Sequence, residues 1–348
     1  MFVKPHSARY ATETQLLGED ELRAAAVRRG APAWTIEDAD AVIARFARAG
    51  RDLGADQAAA LRGILTSGAA VEVLNAPAGT GKSFLVGTLA DTWPLTAPRP
   101  GVGEGPRVFG VAYGQRQADV LAEEGVTARN IRRWLDGQQR LDDGYGTAED
   151  ETFRLRPGDL LVVDEAGATT TPDLVALHRR AEVAGVKLLL VGDHRQLAAV
   201  GTGGALADIA ERGISYELAE VRRFSQPWEA AASLRLRDGD TTVAAEYAKH
   251  GRVVDADTVE QAEQTAARLW LADTIAGRDA LLVVGSNVAA ARVSNQLRGD
   301  LVRLGRVEEA GVPLAAPGWE GTVAGTGDLV QARRNAWHLE GWRGNTEA

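Results

Sequence analysis

The run APAGTGKS, at Ala76–Ser83, has the residue types of a phosphate-binding loop. Gly79 and Gly81 let successive backbone N–H groups turn toward a phosphate, and a helix that follows adds the partial positive charge of its N-terminus. Lys82 can then reach the β- and γ-phosphates of a nucleotide, and Ser83 can ligate Mg²⁺. The run predicts a Walker A loop that binds ATP. Its binding residues are expected to be Ala78, Gly79, Thr80, Gly81, Lys82 and Ser83.

Two carboxylates follow an apolar run farther along the chain. Leu160–Val163 has the composition of a buried strand, and Asp164 and Glu165 come directly after it. Ligand sites of parallel sheets lie at the carboxyl ends of the strands, so both acids are expected beside the phosphate loop. Asp164 is assigned to the Mg²⁺ shell, and Glu165 to orienting or deprotonating the attacking water. Taken alone, the two acids also fit a helix cap, but the upstream loop favours the catalytic assignment.

A third apolar run, Lys187–Val191, leads into the hexapeptide GDHRQL. A buried strand that ends beside the other two brings Gln196 to the γ-phosphate, where it can respond to the loss of that phosphate. An ordinary polar turn is the alternative for this hexapeptide. Its position after the acidic strand favours a catalytic sensor at Gln196.

The elements that must position these residues alternate along the chain. Continuous apolar strands that alternate with helices indicate a parallel sheet covered on both faces, which is an α/β fold. The strands are expected at Val71–Asn75, Val108–Ala112, Leu160–Val163 and Lys187–Val191. The helices between and around them are expected at Asp56–Leu65, Ser83–Trp93, Arg116–Glu124 and Pro172–Ala184.

The chain divides into three parts by pattern. Residues 1–50 read as a helical lead-in, with Thr12 and Gln15 as a capping box, and residues 51–225 form the first α/β lobe. Residues 226–348 repeat the architecture with helix, strand and helix and then end in a Gly- and Pro-rich tail that starts a small β insertion. The second-lobe elements are expected at Val259–Ala276, Leu281–Val284 and Ala289–Leu304, with tail strands at Thr322–Val323 and Leu329–Arg333.

Bulk composition excludes several protein classes. The 348 residues include no cysteine, so disulfides and thiolate metal sites are excluded, and five scattered histidines do not favour a structural metal. Neither a membrane span nor a signal peptide is visible, so a cytoplasmic protein is expected. A net charge of −9 argues against a general nucleic-acid binder, but clustered basic residues allow one DNA-binding groove. These clusters are Arg129 with Arg132 and Arg133, Arg222 with Arg223, and Arg333 with Arg334.

Together, the strings APAGTGKS, VVDEAG, GDHRQL and LAEVRRF resemble the superfamily 1B helicases of the RecD-like type. The resemblance is closer still to the helicase portion of MobF-type conjugative relaxases, the TraA-, TraI- and TrwC-like proteins. It covers about residues 50 to 340. The fold it implies is a P-loop NTPase with tandem RecA-like lobes, of which the second is incomplete here. Later family motifs have no counterpart, so the chain is expected to stop inside its second domain.

The resemblance also implies roles for single residues. Gln57 matches the glutamine that recognises adenine before the P-loop. Arg223 matches the motif IV arginine that stabilises the transferring phosphate from across a domain cleft, with Arg222 as its competitor. Contacts to DNA are implied for the segments Ala112–Gln117 and Asn130–Trp134. The DNA-binding residues expected in them are Tyr113, Gln115, Arg132 and Trp134, although core packing is the favoured alternative for Trp134.

A short hairpin insertion that splits duplex DNA in relatives is implied for residues 137–157, with a solvated acidic loop as an equal alternative. The function implied is an ATP-dependent DNA translocase or helicase, 5′ to 3′, that hydrolyses ATP to ADP and phosphate with Mg²⁺. The partner implied is single-stranded DNA. In the parent protein, a fused relaxase module or the conjugation machinery is implied as a further partner. One rival is a nucleotide- and DNA-binding module without independent unwinding. Another is a P-loop kinase or transport ATPase, although neither a lid nor a signature helix is visible.

Overall fold

The computed structural model describes residues 11–95, 105–196, 204–314 and 322–330. The chain divides into two compact units, residues 1–241 and 242–348, while the domain boundary after residue 225 stays a prediction. Within the described ranges, no helix has the length and apolar character that crossing a membrane demands.

Helices and strands alternate through the first unit. Its described helices are α1 (Glu13–Ala26), α2 (Ile36–Arg48), α3 (Ala55–Thr66), α4 (Lys82–Thr92), α5 (Gln115–Glu123), α6 (Ile131–Asp142), α7 (Ala148–Thr152), α8 (Thr171–Ala184), α9 (Ala205–Arg212) and α10 (Pro227–Arg237). Its described strands are β1 (Val71–Asn75), β2 (Val108–Ala112), β3 (Thr127–Asn130), β4 (Leu160–Asp164), β5 (Lys187–Gly192) and β6 (Ile214–Glu217).

These six strands form one parallel sheet in the order β3-β2-β4-β5-β1-β6. Every residue of the four inner strands is buried because helices cover both faces, and the predicted α/β P-loop class is confirmed. One apolar cluster lies on the face covered by α1, α6, α8 and α9, and the other on the face covered by α3 and α4. The parallel arrangement brings the carboxyl ends of β1, β4 and β5 to the same edge.

The lead-in is part of this first unit. Thr12 caps α1 by accepting a hydrogen bond from the backbone N of Gln15 at 3.2 Å. The Gln15 side chain turns to Glu19 at 3.1 Å, so the expected reciprocal bond of a capping box does not form. Helix α1 contacts α8 and α9 and buries Leu22 in the core of the sheet.

The prediction of a hairpin at residues 137–157 is wrong, because this segment contains the end of α6 and the helix α7. Helix α6 continues to Asp142 because Asn130 caps its start and its apolar residues recur at helical spacing, from Ile131 through Trp134 to Leu141. The short helix α7 follows. The acidic segment is not a solvated loop throughout either, because Asp150 turns inward.

The second unit has fewer elements than expected. Its described helices are α11 (Val243–Lys249), α12 (Val259–Ile275) and α13 (Asn287–Arg303), and a ribbon pairs β7 (Val312–Pro313) with β8 (Val323–Ala324). The strand expected at Leu281–Val284 does not form, since no described residue of this unit pairs with it. Leu282 and Val284 pack against α12 and α13, while Leu281 and Val283 face outward.

A parallel sheet for the second lobe is therefore absent from the described residues, and the tandem RecA-like arrangement is not observed in them. Of the expected tail strands, only Val323 lies in one. Leu329 and Val330 are not in a strand, and the remainder, including Arg333 and Arg334, lies outside the described residues.

Candidate nucleotide-binding site

The glycine-rich loop lies between the carboxyl end of β1 and the start of α4. Gly79 and Gly81 have φ values of 85° and 83°, a region that favours glycine. Thr80 is fully buried, and its hydroxyl donates to the Pro77 carbonyl at 2.8 Å. The Ala76 N–H donates to the Gly192 carbonyl at the end of β5, also at 2.8 Å. The loop is thus held from below and opens at the N-terminus of α4, where Lys82 and Ser83 lie.

Lys82 joins the loop to the end of β4. Its Nζ lies 2.8 Å from Asp164 Oδ1 and 2.5 Å from Glu165 Oε1. Burial disfavours the charged ammonium, but the two carboxylates outweigh that effect and raise the pKa of Lys82. Burial also raises the pKa of Asp164, and the Lys82 charge only partly opposes this rise. In the sheet, β5 lies between β1, which leads into the loop, and β4, which ends at Asp164.

Glu165 has a left-handed backbone, with φ 51°. Within the described residues it is the one non-glycine residue with positive φ. Such a conformation is uncommon for a residue with a Cβ, and outliers of this kind cluster at functional sites. The turn directs the Glu165 carboxylate back to Lys82 instead of along the strand.

Gln57 and Arg222 both bind the loop backbone. Gln57 is buried, and its Nε2 donates to the Thr80 carbonyl at 3.2 Å while its Oε1 accepts from the Gly54 N–H at 3.1 Å. Arg222 donates through Nη1 to the same Thr80 carbonyl at 2.9 Å and pairs with Asp56 at 3.1 Å. Both side chains therefore hold the loop.

Arg223 contacts the loop at Gly79. A Cβ placed on Gly79 would come within 2.5 Å of the Arg223 Cβ, so the two residues touch. Among the described residues its guanidinium has no ion pair, whereas Arg222 is engaged by Asp56 and Glu220. Arg223 therefore lies in the same unit as the loop, whereas the resemblance implies an arginine from across a domain cleft.

The turn after β5 is anchored by a buried aspartate. Asp193 accepts from Arg237 Nε at 2.8 Å and Nη2 at 2.6 Å. Burial works against the charged carboxylate, yet the Arg237 guanidinium and the Arg195 N–H together outweigh it and lower the pKa of Asp193. Gln196, the expected sensor, is exposed, and its N–H donates to the Asp193 carbonyl at 3.1 Å. Leu197 lies outside the described residues.

Two of the expected DNA-binding residues are open to solvent at this edge of the sheet. Tyr113 directly follows β2 and is 62% exposed, and the Arg132 side chain, in the first turn of α6, is 83% exposed. Strands β2 and β3 are neighbours, with Ala112 paired to Asn130, so Tyr113 and the start of α6 follow adjacent strand ends.

The other two expected DNA contacts have different surroundings. Trp134 is fully buried in the core, so the expectation of a stacking face is corrected: helix α6 turns the indole inward. The Gln115 amide is engaged at both ends, by Asn130 at 3.1 Å and Asp119 at 2.7 Å. Arg129, counted in a basic cluster, is also buried and pairs with Asp150 at 3.1 Å.

Sequence reasoning missed the roles of Asp193 and Arg237. Asp193 stands within the hexapeptide GDHRQL, so its place in the motif was the available signal. Arg237 had no such signal, because a basic residue at the end of a helix usually interacts with the helix dipole and solvent. The buried Asn75, whose amide has no hydrogen-bond partner among the described residues, was also not singled out.

Comparison with known proteins gives matches over most of the chain. A family model described as an AAA domain matches residues 52–258. The chain is 26% identical over 306 residues to the probable conjugal transfer protein TraA of Sinorhizobium fredii (strain NBRC 101917 / NGR234), which covers 86% of this chain and 26% of that protein. It is 32% identical over 276 residues to the RecBCD enzyme subunit RecD of Mycolicibacterium smegmatis, covering 73% of this chain and 47% of that protein.

The chain spans about a quarter of the length of the TraA proteins of Sinorhizobium fredii and Agrobacterium fabrum. Among solved structures, the Pif1 helicase from Candida albicans aligns with a TM-score of 0.39 and 18% identity, over 63% of this chain and 54% of that one. The sequence matches confirm the expected resemblance to TraA-like and RecD-like proteins.

Proposed function

This chain belongs to the AAA domain family, and on that premise we propose that it is the motor segment of an ATP-dependent DNA helicase or translocase. The observation that carries the proposal is the Lys82 ammonium between the Asp164 and Glu165 carboxylates, at 2.8 and 2.5 Å, at the head of the P-loop. A lysine, a metal-binding acid and a water-orienting acid are the groups that hydrolysis of ATP to ADP and phosphate requires. The names of the relatives, TraA and RecD, support DNA as the substrate of the motor.

Lys82 changes partners in this mechanism. In the structure it neutralises two acids, and the phosphates of ATP offer it a stronger negative charge at the same helix N-terminus. When Lys82 moves to the β- and γ-phosphates, Asp164 and Glu165 are released. Glu165 then accepts a proton from the attacking water or orients it, while Arg223, next to Gly79, stabilises the charge on the transferring phosphate.

Ser83 and Asp164 fit the requirements of Mg²⁺. Both are hard oxygen donors, and Mg²⁺ sites in such enzymes use one or two carboxylates together with the substrate phosphates. When bound, the ion supplies charge neutralisation at the phosphate oxygens. Adenine recognition by Gln57 rests on the resemblance, and its amide is already engaged by the loop carbonyls.

Single-stranded DNA is proposed to cross the edge that carries Tyr113 and Arg132. An exposed aromatic ring stacks on any base, and an adjacent guanidinium attracts the phosphate chain. Movement in the 5′ to 3′ direction and a place in a conjugative relaxase or RecD-like protein rest on the resemblance.

The site is tested by binding and turnover of Mg·ATP in the full chain. We expect Lys82→Ala to weaken binding and abolish turnover, and Glu165→Gln to keep binding while turnover falls by about 10² to 10⁴, the usual contribution of a general base. Lys249→Ala, which removes an exposed lysine of α11, is the matched control and leaves both unchanged. If Lys82→Ala turns over ATP at the wild-type rate, the assignment of the site is wrong.

A second candidate is a module that binds nucleotide and DNA without independent unwinding. The described part of the second unit favours it, because that part has three helices and a two-residue ribbon but no parallel sheet. An ATP turnover rate that is the same with and without single-stranded DNA supports this candidate, whereas DNA-stimulated turnover with strand separation excludes it.

A further inference from the structure

Two adjacent ion pairs join the turn after β5 to the carboxyl end of α10. Arg237, the last residue of α10, binds both oxygens of Asp193. Asp238, the next residue, pairs with Arg195 on the same turn. The two pairs have opposite polarity: the turn supplies first an acid and then a base, and the helix end supplies first a base and then an acid.

The two pairs differ in strength. The Asp193 side chain is 2% exposed and that of Arg237 is 13% exposed, and their two parallel N–H···O bonds fix orientation as well as distance. Arg195 and Asp238 are each about half exposed, so solvent screens their attraction. The inner pair therefore sets the position, and the outer pair helps to keep the register.

Asp193 also determines the shape of the turn. Its Oδ1 accepts from the Arg195 N–H at 3.0 Å, and its carbonyl accepts from the Gln196 N–H at 3.1 Å. Arg237 thus binds the residue whose carboxylate holds the Arg195 N–H and whose carbonyl holds the Gln196 N–H. One residue earlier, Gly192 accepts from the P-loop at Ala76, so the turn begins next to the nucleotide site.

Helix α10 is also the last helix before the division of the chain. It ends at Arg237, and the second unit begins at Thr242. Only residues 238–241 separate the end of α10 from the second unit.

We propose that Arg237 is a positioning residue for Gln196, and that the Asp193–Arg237 pair transmits the presence or absence of the γ-phosphate to the end of α10. The inference rests on the proposed ATPase function and deepens it. When Gln196 loses its contact with the γ-phosphate, the turn shifts, and a bidentate pair carries the shift to the helix because it resists both stretching and rotation.

Arg107→Ala is a matched control for Arg237→Ala. Arg107 pairs at 2.8 Å with Asp159, another buried aspartate, whose carboxylate accepts two backbone N–H bonds where that of Asp193 accepts one. This pair lies just before β2 and β4, at the edge of the sheet opposite the P-loop. Each variant leaves a buried carboxylate without its arginine, so a purely structural role affects both alike.

The first test is hydrogen exchange of α10 in the full chain, with Mg²⁺ and either a non-hydrolysable ATP analogue or ADP. We expect the protection of residues 227–241 to differ between the two nucleotides in the wild-type chain and in Arg107→Ala, and not in Arg237→Ala or Arg237→Lys. Lysine keeps the charge but lacks the planar fork. Equal protection with both nucleotides in the wild-type chain overturns the inference without any need for turnover.

The second test is ATP turnover. Because a small misplacement of a positioned group is costly, Arg237→Ala should lower kcat on the order of tenfold to a hundredfold, with little change in nucleotide affinity. Arg195→Asp should weaken the exchange response, and the swap Arg195→Asp with Asp238→Arg should restore it. If the wild-type chain turns over ATP and both arginine variants lose activity equally, the positioning role is wrong while the proposed function stands. If the wild-type chain neither binds nor hydrolyses ATP, the proposed function fails and this inference fails with it.

Discussion

A fully buried ion pair in the sheet of the first unit gives a sharp stability prediction. Lys187 in β5 and Glu72 in β1 lie on neighbouring strands, with Nζ and Oε1 2.7 Å apart and neither side chain accessible to solvent. Ser67 accepts from Lys187 at 2.9 Å and donates to Glu72 at 2.7 Å, and Tyr216 donates to Glu72 at 3.2 Å. Lys187→Met removes the ammonium charge and leaves the Glu72 carboxylate buried among hydrogen-bond donors that suit its ionised form.

The expected cost follows from this burial. Removing one member of a buried pair costs about 3 to 5 kcal/mol of the free energy of unfolding. For a unit of this size, 1 kcal/mol shifts Tm by about 2 to 4 °C, so Lys187→Met should lower Tm by roughly 6 to 20 °C. The double variant Glu72→Leu with Lys187→Met removes both charges, and it should recover most of the loss because an apolar pair carries no uncompensated charge.

The assay is thermal unfolding of the full chain at several pH values, followed in the transition of the first unit. Burial raises the pKa of Glu72 above its ordinary value of 4.5, and the Lys187 ammonium opposes that rise. In Lys187→Met the pKa rises further, so the folded chain keeps a proton that the unfolded chain releases. The stability of the variant should therefore fall as pH increases above 4.5, until Glu72 ionises in the folded state as well.

Two results would refute this reasoning. A loss under about 1 kcal/mol in Lys187→Met, the range of a solvent-exposed pair, would show that the charges are not desolvated in solution. A double variant no more stable than Lys187→Met would show that lost packing, not the orphaned carboxylate, accounts for the cost.

Four further predictions concern the rest of the first unit. Trp134→Ala should cost about 3 to 5 kcal/mol in the free energy of unfolding because the indole is fully buried. Tyr113→Ala should leave Tm nearly unchanged and weaken single-stranded DNA binding by about 1 to 3 kcal/mol. If the variant and the wild type bind DNA with equal affinity, Tyr113 is not part of the interface. Glu165→Gly should abolish turnover yet be more stable than Glu165→Ala by about 1 kcal/mol, because a φ of 51° is unfavourable for a residue with a Cβ. Thermal unfolding of both variants measures this difference, and equal Tm values would show that the backbone of Glu165 is not strained. The Arg140 guanidinium and the Thr147 N–H lower the pKa of Asp150 far below its ordinary 3.8. The stability that this carboxylate contributes is therefore present above pH 3.8 and is lost as pH falls toward the folded pKa. In acid unfolding, the difference in stability between the wild type and Asp150→Asn should shrink below about pH 4, and a constant difference would contradict this prediction.

Sequence pattern succeeded where one physical effect dominated. The four inner strands are continuous apolar runs because helices cover both of their faces, and β1 and β2 begin and end where the pattern placed them. The phosphate loop was recognisable because glycines and a lysine at fixed spacing have few other uses.

Edge strands and tertiary pairing were harder to foresee. Strands β3 and β6 have four residues each, and Arg129 is the only buried residue in either, so each carries a weak apolar signal. Leu281–Val284 is apolar enough for a buried strand, but a strand also needs a hydrogen-bonding neighbour, and local sequence does not reveal whether one is present. The resemblance suggested a hairpin at residues 137–157, where helical spacing and the Asn130 cap prevail.

The candidate site was foreseeable in its chemistry more than in its contacts. Lys82, Asp164 and Glu165 are brought together as their motifs suggested, since the carboxyl ends of parallel strands meet at one edge. The contacts of Arg222 with the loop, and of Arg237 with Asp193, depend on segments far apart in sequence. No local pattern announces such pairs.

Steady-state ATP hydrolysis by the full chain, with and without single-stranded DNA, decides whether this chain is a DNA-dependent motor when the wild type is compared with Lys82→Ala. We expect DNA to stimulate hydrolysis by the wild-type chain and Lys82→Ala to have no activity in either condition. If the wild-type chain binds Mg·ATP but its turnover is the same with and without DNA, the claim that this chain is a DNA-dependent motor is contradicted.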